Sequence, residues 1–159
     1  MDAVYPIFLH NLQDSLVVVV GGGVVGERKV RGLLTVGAQV RLISPLATPA
    51  LQEYAHVGRI VWIERAFQTD DLHGALLVFA ATDQRSVNQE VFAAARAQRI
   101  LCNVADCAEE GDFHLPALHR EGELTLAVGS RGRDIHAAKR VRDRFVEIVR
   151  AERNQSYVD

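Results

Sequence analysis

The stretch VVVVGGGVVGERKV, residues 17–30, decides the fold class. Its run of valines is typical of a strand that is buried on both faces of a parallel sheet, and Val24–Val36 then has helical spacing. Between strand and helix lies Gly21-x-Gly23-x-x-Gly26, the dinucleotide-binding fingerprint in the context that such a site requires. The first glycine permits a tight turn, the second lets a pyrophosphate approach the backbone, and the third lets helix and strand pack closely. A tight turn without a ligand is the alternative.

The adenosine side of the predicted site is less regular. An acidic residue normally follows the second strand and binds the ribose hydroxyls, whereas this chain reads Leu42-Ile43-Ser44-Pro45 at that point. We predict that Ser44 bonds a ribose hydroxyl, that backbone groups of the next two residues line the adenosine, and that the cofactor is NAD. Asp83 has helix capping as an alternative role. The predicted cofactor contacts beyond the three glycines are Val24, Val25, Ser44, Pro45, Leu46, Thr82 and Asp83.

Strand and helix patterns alternate through the first two thirds of the chain. The predicted strands are 16–20, 39–43, 59–64, 75–80 and 100–104, and the predicted helices are 24–36, 49–56 and 87–98. We expect Gly37 to end the first helix, Thr48 to cap the second, and Asp83 or Ser86 to cap the third. This alternation predicts an α/β fold with a Rossmann-like, doubly wound parallel sheet.

The pattern changes after residue 110. Segments 114–119 and 124–128 flank a Glu121-Gly122 turn and predict an antiparallel hairpin, and Asp134 is placed to cap a last helix from Ile135 to about Glu152. We therefore divide the chain into a nucleotide-binding domain, residues 1–110, and a hairpin-plus-helix region, residues 111–159. The apolar face of the last helix must pack on the first domain or on a second subunit, and we predict a homodimer.

The composition limits the class of protein. The chain has 159 residues, of which 48% are hydrophobic and 24% charged, as in an ordinary soluble domain. A net charge of −2 gives no attraction to nucleic acid or membranes, and no apolar run approaches the ~20 residues of a membrane span. Cys102 and Cys107 fit neither a disulfide scaffold nor the usual metal spacings, so we expect reduced thiols in a cytoplasmic protein and no metal site.

Five segments together resemble the siroheme synthase N-terminal domain family, the precorrin-2 dehydrogenases, some of which are also sirohydrochlorin ferrochelatases. These segments are YPIFL (5–9), GGGVVGERKVRGLL (21–34), FAATDQRSVNQ (79–89), ILCNVAD (100–106) and FHLPAL (113–118). The resemblance implies NAD-dependent oxidation of precorrin-2 to sirohydrochlorin on a homodimer. Members of this family use NAD without the acidic residue after the second strand. The resemblance also implies that Asp106, which closes Asn-Val-x-Asp, is catalytic.

The chemistry of Asp106 fits that role. It follows the fifth predicted strand at the carboxyl edge of the sheet, where doubly wound folds bind ligands. Oxidation of a reduced tetrapyrrole requires a hydride acceptor and a base, and a carboxylate near the nicotinamide can take the proton. A structural loop aspartate is the alternative.

The predicted substrate contacts lie in the last third of the chain. They are His114, Ser130, Arg131 and Arg133. Ser130 is assigned through the resemblance, and the two arginines begin a stretch of six Lys or Arg up to Arg144 that suits the carboxylates of a tetrapyrrole, with a solvated helix face as the alternative. The family's Ser-Pro pair is absent here, where the chain reads Asp134-Ile135. A bifunctional dehydrogenase and chelatase, or a non-catalytic nucleotide sensor, therefore stay open as alternatives.

Overall fold

The computed structural model describes residues 4–107, 109–130 and 134–155. The chain forms two compact units, Tyr5–Phe113 and a second that contains the described part of His114–Asp159. The change of sequence pattern after residue 110 therefore lies close to a change of structural unit. Separate functions for residues 1–110 and 111–159 remain a prediction.

The first unit is built on a five-stranded parallel sheet in the order β3-β2-β1-β4-β5. Its strands are β1 (Leu16–Gly22), β2 (Gln39–Ala47), β3 (Val61–Ile63), β4 (Ala75–Ala80) and β5 (Leu101–Val104). Its helices are α1 (Val24–Leu34), α2 (Pro49–His56) and α3 (Arg85–Ala97). This strand order, with β1 at the centre, confirms the predicted Rossmann-like fold.

The valines of β1 form the middle of two cores. Val17 and Val19 pack on the side of α1 and α2, whereas Val18 and Val20 pack on the side of α3. All four are at most 2% exposed. Successive side chains of a strand point to opposite faces, so a strand covered by helices on both faces must be apolar throughout.

A partly buried lysine lies beside the core on the α1 side. The Nζ atom of Lys29, in α1, lies 5.4 Å from the ring centroid of Phe79 in β4. Phe113 packs against Phe79 edge to face, with the ring centroids 5.5 Å apart. Burial, reinforced by the neighbouring charge of Arg28, lowers the pKa of Lys29 to about 8. This lysine is therefore a partly desolvated charge beside the Phe79 ring.

Several predicted element boundaries are wrong by two or more residues, among them the end of β2 and the start of α3. β2 continues to Ala47 instead of ending at residue 43, because Gly22 of β1 pairs with Ala47 and prolongs the ladder. α3 begins at Arg85 after an N-cap at Gln84 that makes no side-chain capping bond, so neither Asp83 nor Ser86 caps it. The Thr48 cap is confirmed, since its hydroxyl accepts from the amide of Leu51 at 3.4 Å.

The second unit contains the predicted hairpin and long helix. β6 (Ala117–Glu121) and β7 (Leu124–Val128) pair antiparallel, and α4 spans Ile135–Gln155. The Asp134 carboxylate accepts from the amide of Ala137 at 2.7 Å, as expected of a cap. His114 precedes β6 and is not on the strand, contrary to prediction, because the paired residues begin at Ala117. None of the helices in the described part of the chain is long and apolar enough to cross a bilayer.

Candidate functional site

The carboxyl ends of three strands meet at one edge of the sheet. The amide of Ala81 donates to the carbonyl of Val20 at 2.8 Å, and the amide of Ala105 donates to the carbonyl of Ala80 at 2.9 Å. These bonds continue the β1–β4 and β4–β5 ladders beyond the strands. The chain leaves β1 towards β2 while β4 lies on the other side of β1, so this edge is the switch point at which open α/β sheets bind ligands.

The three glycines of the fingerprint have different surroundings at this edge. Gly21 has a φ of +114°, and a β-carbon there would overlap the carbonyl oxygen of Ala81. A β-carbon on Gly26 would overlap the carbonyl oxygen of Gly21, so this glycine permits the close approach of α1 to β1. Gly23 has an ordinary φ of −79°, and a β-carbon there would meet nothing within 4 Å. The open face of Gly23, at the N-terminus of α1, fits a ligand's pyrophosphate.

Gly22 is a site residue that the sequence analysis missed. A β-carbon on it would overlap the carbonyl oxygen of Leu46, because the ends of β1 and β2 are in contact here. Its amide donates to the Ser44 hydroxyl, and its carbonyl accepts from the amide of Thr48 at 2.9 Å. The signal was the middle letter of GGG, which the fingerprint leaves unspecified.

Ser44 therefore fixes the glycine turn from the neighbouring strand. It is only 8% exposed, and its carbonyl also accepts from the indole Nε1 of Trp62 at 3.0 Å. A contact of Ser44 with a ribose stays a prediction. Pro45 and Leu46 are exposed beside it, Leu46 at 80%, as are Val24 and Val25 in the first turn of α1.

No arginine of β2 turns towards this adenosine side within the described chain. The guanidinium of Arg41 donates to the backbone carbonyl of Asp71 at 2.9 Å. Arg65 forms a two-pronged ion pair with the Asp71 carboxylate, with N–O distances of 2.8 and 2.6 Å. Burial raises the pKa of Asp71, but the hydrogen bond from Arg65 helps to hold it below its usual value. The Asp71 carboxylate is therefore engaged in a structural ion pair.

The loop after β4 is held by a buried amide that the sequence analysis also missed. Asn88 is fully buried in α3, and its Oδ1 accepts from the amide of Thr82 at 3.1 Å while its Nδ2 donates to the Thr82 carbonyl at 3.1 Å. These bonds fix Thr82 next to the turn at Gly21, with Asp83 exposed beside it. The signal was an asparagine on the same helical stripe as Val91 and Ala95.

Asp106 is the second residue beyond β5. The ladder bond of Ala105 fixes its backbone, and its side chain is 36% exposed. Arg85 Nη1 lies 3.4 Å from Asp106 Oδ2, and Nη2 of the same guanidinium forms an ion pair with Glu110. Partial desolvation lowers the pKa of Arg85, but the Glu110 and Asp106 carboxylates outweigh it and raise the pKa overall. Asp106 thus lies at the same sheet edge as the glycine turn, in a three-residue charge cluster.

Two of the predicted substrate residues lie close together in the second unit. A β-carbon on Gly129 would lie 3.9 Å from His114 Nε2, which brings the imidazole close to the residue before Ser130. The Ser130 hydroxyl accepts from the amide of Asp134 at 3.2 Å. Arg131 and Arg133 lie outside the described residues. Across those that are described, no three His, Cys, Asp or Glu side chains converge as metal ligands would.

Comparison with known proteins relates this site to an enzyme family. Residues 8–117 match the family described as putative NAD(P)-binding. A siroheme synthase of Xylella fastidiosa (strain M12) is 39% identical over 149 residues, which are 93% of this chain and 31% of that protein. A siroheme synthase of Nitrosococcus oceani is 39% identical over 144 residues, again 31% of its length. The chain therefore spans about a third of the siroheme synthases it matches.

A solved structure agrees over more of its own length. SirC, a precorrin-2 dehydrogenase, has a TM-score of 0.79 with this chain at 26% sequence identity. The match covers 91% of this chain and 70% of SirC, and so includes more than the nucleotide-binding unit.

Proposed function

Because the chain belongs to the putative NAD(P)-binding family and aligns with siroheme synthases over nine-tenths of its length, we propose that it is an NAD-dependent precorrin-2 dehydrogenase. The observation that carries the proposal is the position of Asp106 at the same sheet edge as the open face of Gly23. A nucleotide sensor needs only the glycine turn. A dehydrogenase also needs an acid–base group within reach of the cofactor.

In this proposal the glycine turn binds the cofactor and Asp106 acts as the base. Gly21, Gly23 and Gly26 shape the turn that receives the pyrophosphate, with the amides of Val24 and Val25 facing its charge. When bound, the nicotinamide supplies the hydride acceptor. Asp106 accepts the proton that leaves a reduced carbon of precorrin-2.

The substrate is held by the second unit in this proposal. His114, Ser130, Arg131 and Arg133 bind the peripheral carboxylates of precorrin-2, with the arginines suited to bidentate contacts. The enzyme works as a homodimer in the cytoplasm. Free Cys102 and Cys107 support that compartment, because structural disulfides belong to oxidising ones.

We propose NAD, and not NADP, as the preferred cofactor. A 2′-phosphate needs a cation on the adenosine side, and Arg41 is instead bonded to the Asp71 carbonyl. Titration calorimetry should therefore give a dissociation constant at least several-fold lower for NAD. Tighter binding of NADP would overturn this preference.

The decisive experiment supplies purified protein with precorrin-2 and NAD and follows the absorption spectrum for sirohydrochlorin. We expect NADH and sirohydrochlorin to appear together, in equal amounts. Samples without NAD, and samples of Gly23→Val, measure the background oxidation of the substrate. Nucleotide binding without sirohydrochlorin formation, with either NAD or NADP, would refute the dehydrogenase and leave the nucleotide sensor.

A further inference from the structure

We propose that Arg85 is a positioning residue for Asp106, and that Glu110 moderates its effect by competing for the same guanidinium. The Nη1 group of Arg85 would thus hold the Asp106 carboxylate in place, ready to accept a proton. For its catalytic meaning this inference rests on the proposed function. The electrostatic coupling itself can be measured without any activity.

The location of Arg85 is unusual for a cation. It is the first residue of α3, where the positive end of the helix dipole disfavours positive charge. Two carboxylates compensate this cost, Asp106 at 3.4 Å and Glu110 on the other terminal nitrogen. An arginine that was only solvated would need neither carboxylate. The two ion pairs therefore indicate that Arg85 interacts specifically with the loop after β5.

Both ends of this contact are anchored to buried residues, Asn88 on one side and Cys102 on the other. Asn88, one turn into α3, fixes the start of the helix through Thr82. On the other side, the amide of Asp112 donates to the carbonyl of Cys102 at 2.8 Å, and the amide of Cys102 donates to the Asp112 carboxylate at 3.0 Å. The loop after β5 is thereby folded back along its own strand, which brings Asp106 and Glu110 to one guanidinium.

The charged and titratable groups near Asp106 come from two elements. α3 contributes Arg85, and the loop contributes Glu110 and Cys107, both of which raise the pKa of Arg85. Arg85 and Asp106 are 41% and 36% exposed, so solvent screens their attraction. Pairs of this kind change a titration midpoint by roughly 0.2–0.7 pH unit. Removing Arg85 and removing Glu110 should shift Asp106 in opposite directions, which a general loss of structure would not do.

The experiment compares Arg85→Gln, Arg85→Lys and Glu110→Gln with the unaltered chain, and Arg96→Gln, an exposed arginine at the other end of α3, is the matched control. The first readout is the titration of the Asp106 carboxyl by carbon NMR, assigned by its loss in Asp106→Asn. We expect a midpoint at higher pH in Arg85→Gln, at lower pH in Glu110→Gln, and near the original value in Arg85→Lys and Arg96→Gln.

The second readout is the pH profile of kcat/KM for precorrin-2, whose acidic limb should move in the same directions while NAD affinity stays constant. NMR shifts of the expected signs without sirohydrochlorin formation would refute the proposed function and support the coupling. Active enzyme whose Asp106 midpoint is unmoved by Arg85→Gln, or moved alike by both variants, would overturn the inference. If Arg85→Gln does not fold, Glu110→Gln decides alone, because an unshifted midpoint there refutes it.

Discussion

The Ser44 hydroxyl accepts a hydrogen bond from the backbone amide of Gly22, with a distance of 2.9 Å between the two atoms. Both groups are buried, and their residues are 22 positions apart in the chain. A serine where an acid would normally bind ribose thus supports the glycine turn between β1 and α1. The next residue, Gly23, is held with its free face outward.

Replacing Gly23 by valine should abolish NAD binding without unfolding the chain. The valine side chain would occupy the open face of Gly23, and φ at this N-cap suits any residue, so the loss of stability should stay near 1 kcal/mol. Calorimetry measures the binding and thermal unfolding measures the fold. Gly32→Val is the matched control, because Gly32 lies in the same helix with nothing within 4 Å of an added β-carbon. Retained NAD affinity in Gly23→Val would place the nucleotide elsewhere.

Replacing Asp106 by asparagine should reduce kcat by roughly 10²- to 10⁴-fold, the usual contribution of a positioned base. The amide keeps the shape of the side chain but cannot take the proton. NAD affinity should be unchanged, because the glycine turn is formed by other residues. Turnover under saturating NAD and precorrin-2 is the measurement. Turnover at the unaltered rate would make Asp106 a structural loop residue.

The chain should have twice its 17.5 kDa mass in solution. Along α4, Val141, Phe145 and Ile148 form an apolar stripe and are 43–52% exposed. Burying this stripe against a second copy would remove it from water, as in the interfaces of stable dimers. Light scattering at micromolar concentration measures the mass. Phe145→Glu should yield monomers, whereas Lys139→Glu, exposed on another side of α4, should not. A monomeric unaltered chain would contradict the prediction.

Replacing Lys29 by methionine should stabilise the protein at neutral pH by roughly 1 kcal/mol, because it removes a partly desolvated charge and retains most of the packing. The pKa of Lys29 falls from 10.5 to about 8 on folding. Between these values the unfolded chain holds a proton that the folded chain has lost, so the contribution of this lysine to stability rises with pH.

The advantage of Lys29→Met should accordingly shrink from pH 7 to pH 10. Urea unfolding of both proteins at the two pH values gives the difference, in which other titrating groups cancel. An advantage that is the same at both values would show that the charge of Lys29 carries no cost in the folded state.

The fold was predictable because its signals are local. The alternation of β-branched runs with helical stripes is visible in windows of about ten residues, and Gly58 and Thr48-Pro49 mark the ends of α2. The end of β2 and the start of α3 were not predictable, because they depend on contacts with residues outside these elements. Ala47 joins β2 only because Gly22 lies beside it, and α3 begins directly after Gln84 because Asn88 holds the preceding loop.

Only part of the candidate site was predictable, for the same reason. The glycine turn and Asp106 belong to short motifs in a recognisable order. The contact between Arg85 and Asp106 joins residues 21 positions apart through a loop with no periodicity, and Ser44 gave no sign that it supports Gly22. Such polar contacts depend on the tertiary approach of the strand ends, which sequence spacing does not specify.

The valines of β1 have a consequence for folding accuracy. A one-residue slip along the sheet would exchange valine for valine at most positions of residues 17–20 and keep both cores apolar, so these side chains barely oppose it. The opposition comes from the strand's end, where any residue other than glycine at positions 21 or 22 would collide with the backbone of Ala81 or Leu46. A strand slipped by one residue in the direction that moves Val20 into the place of Gly21 would make this collision. The glycine turn that ends β1 therefore also opposes misalignment of the central strand in that direction.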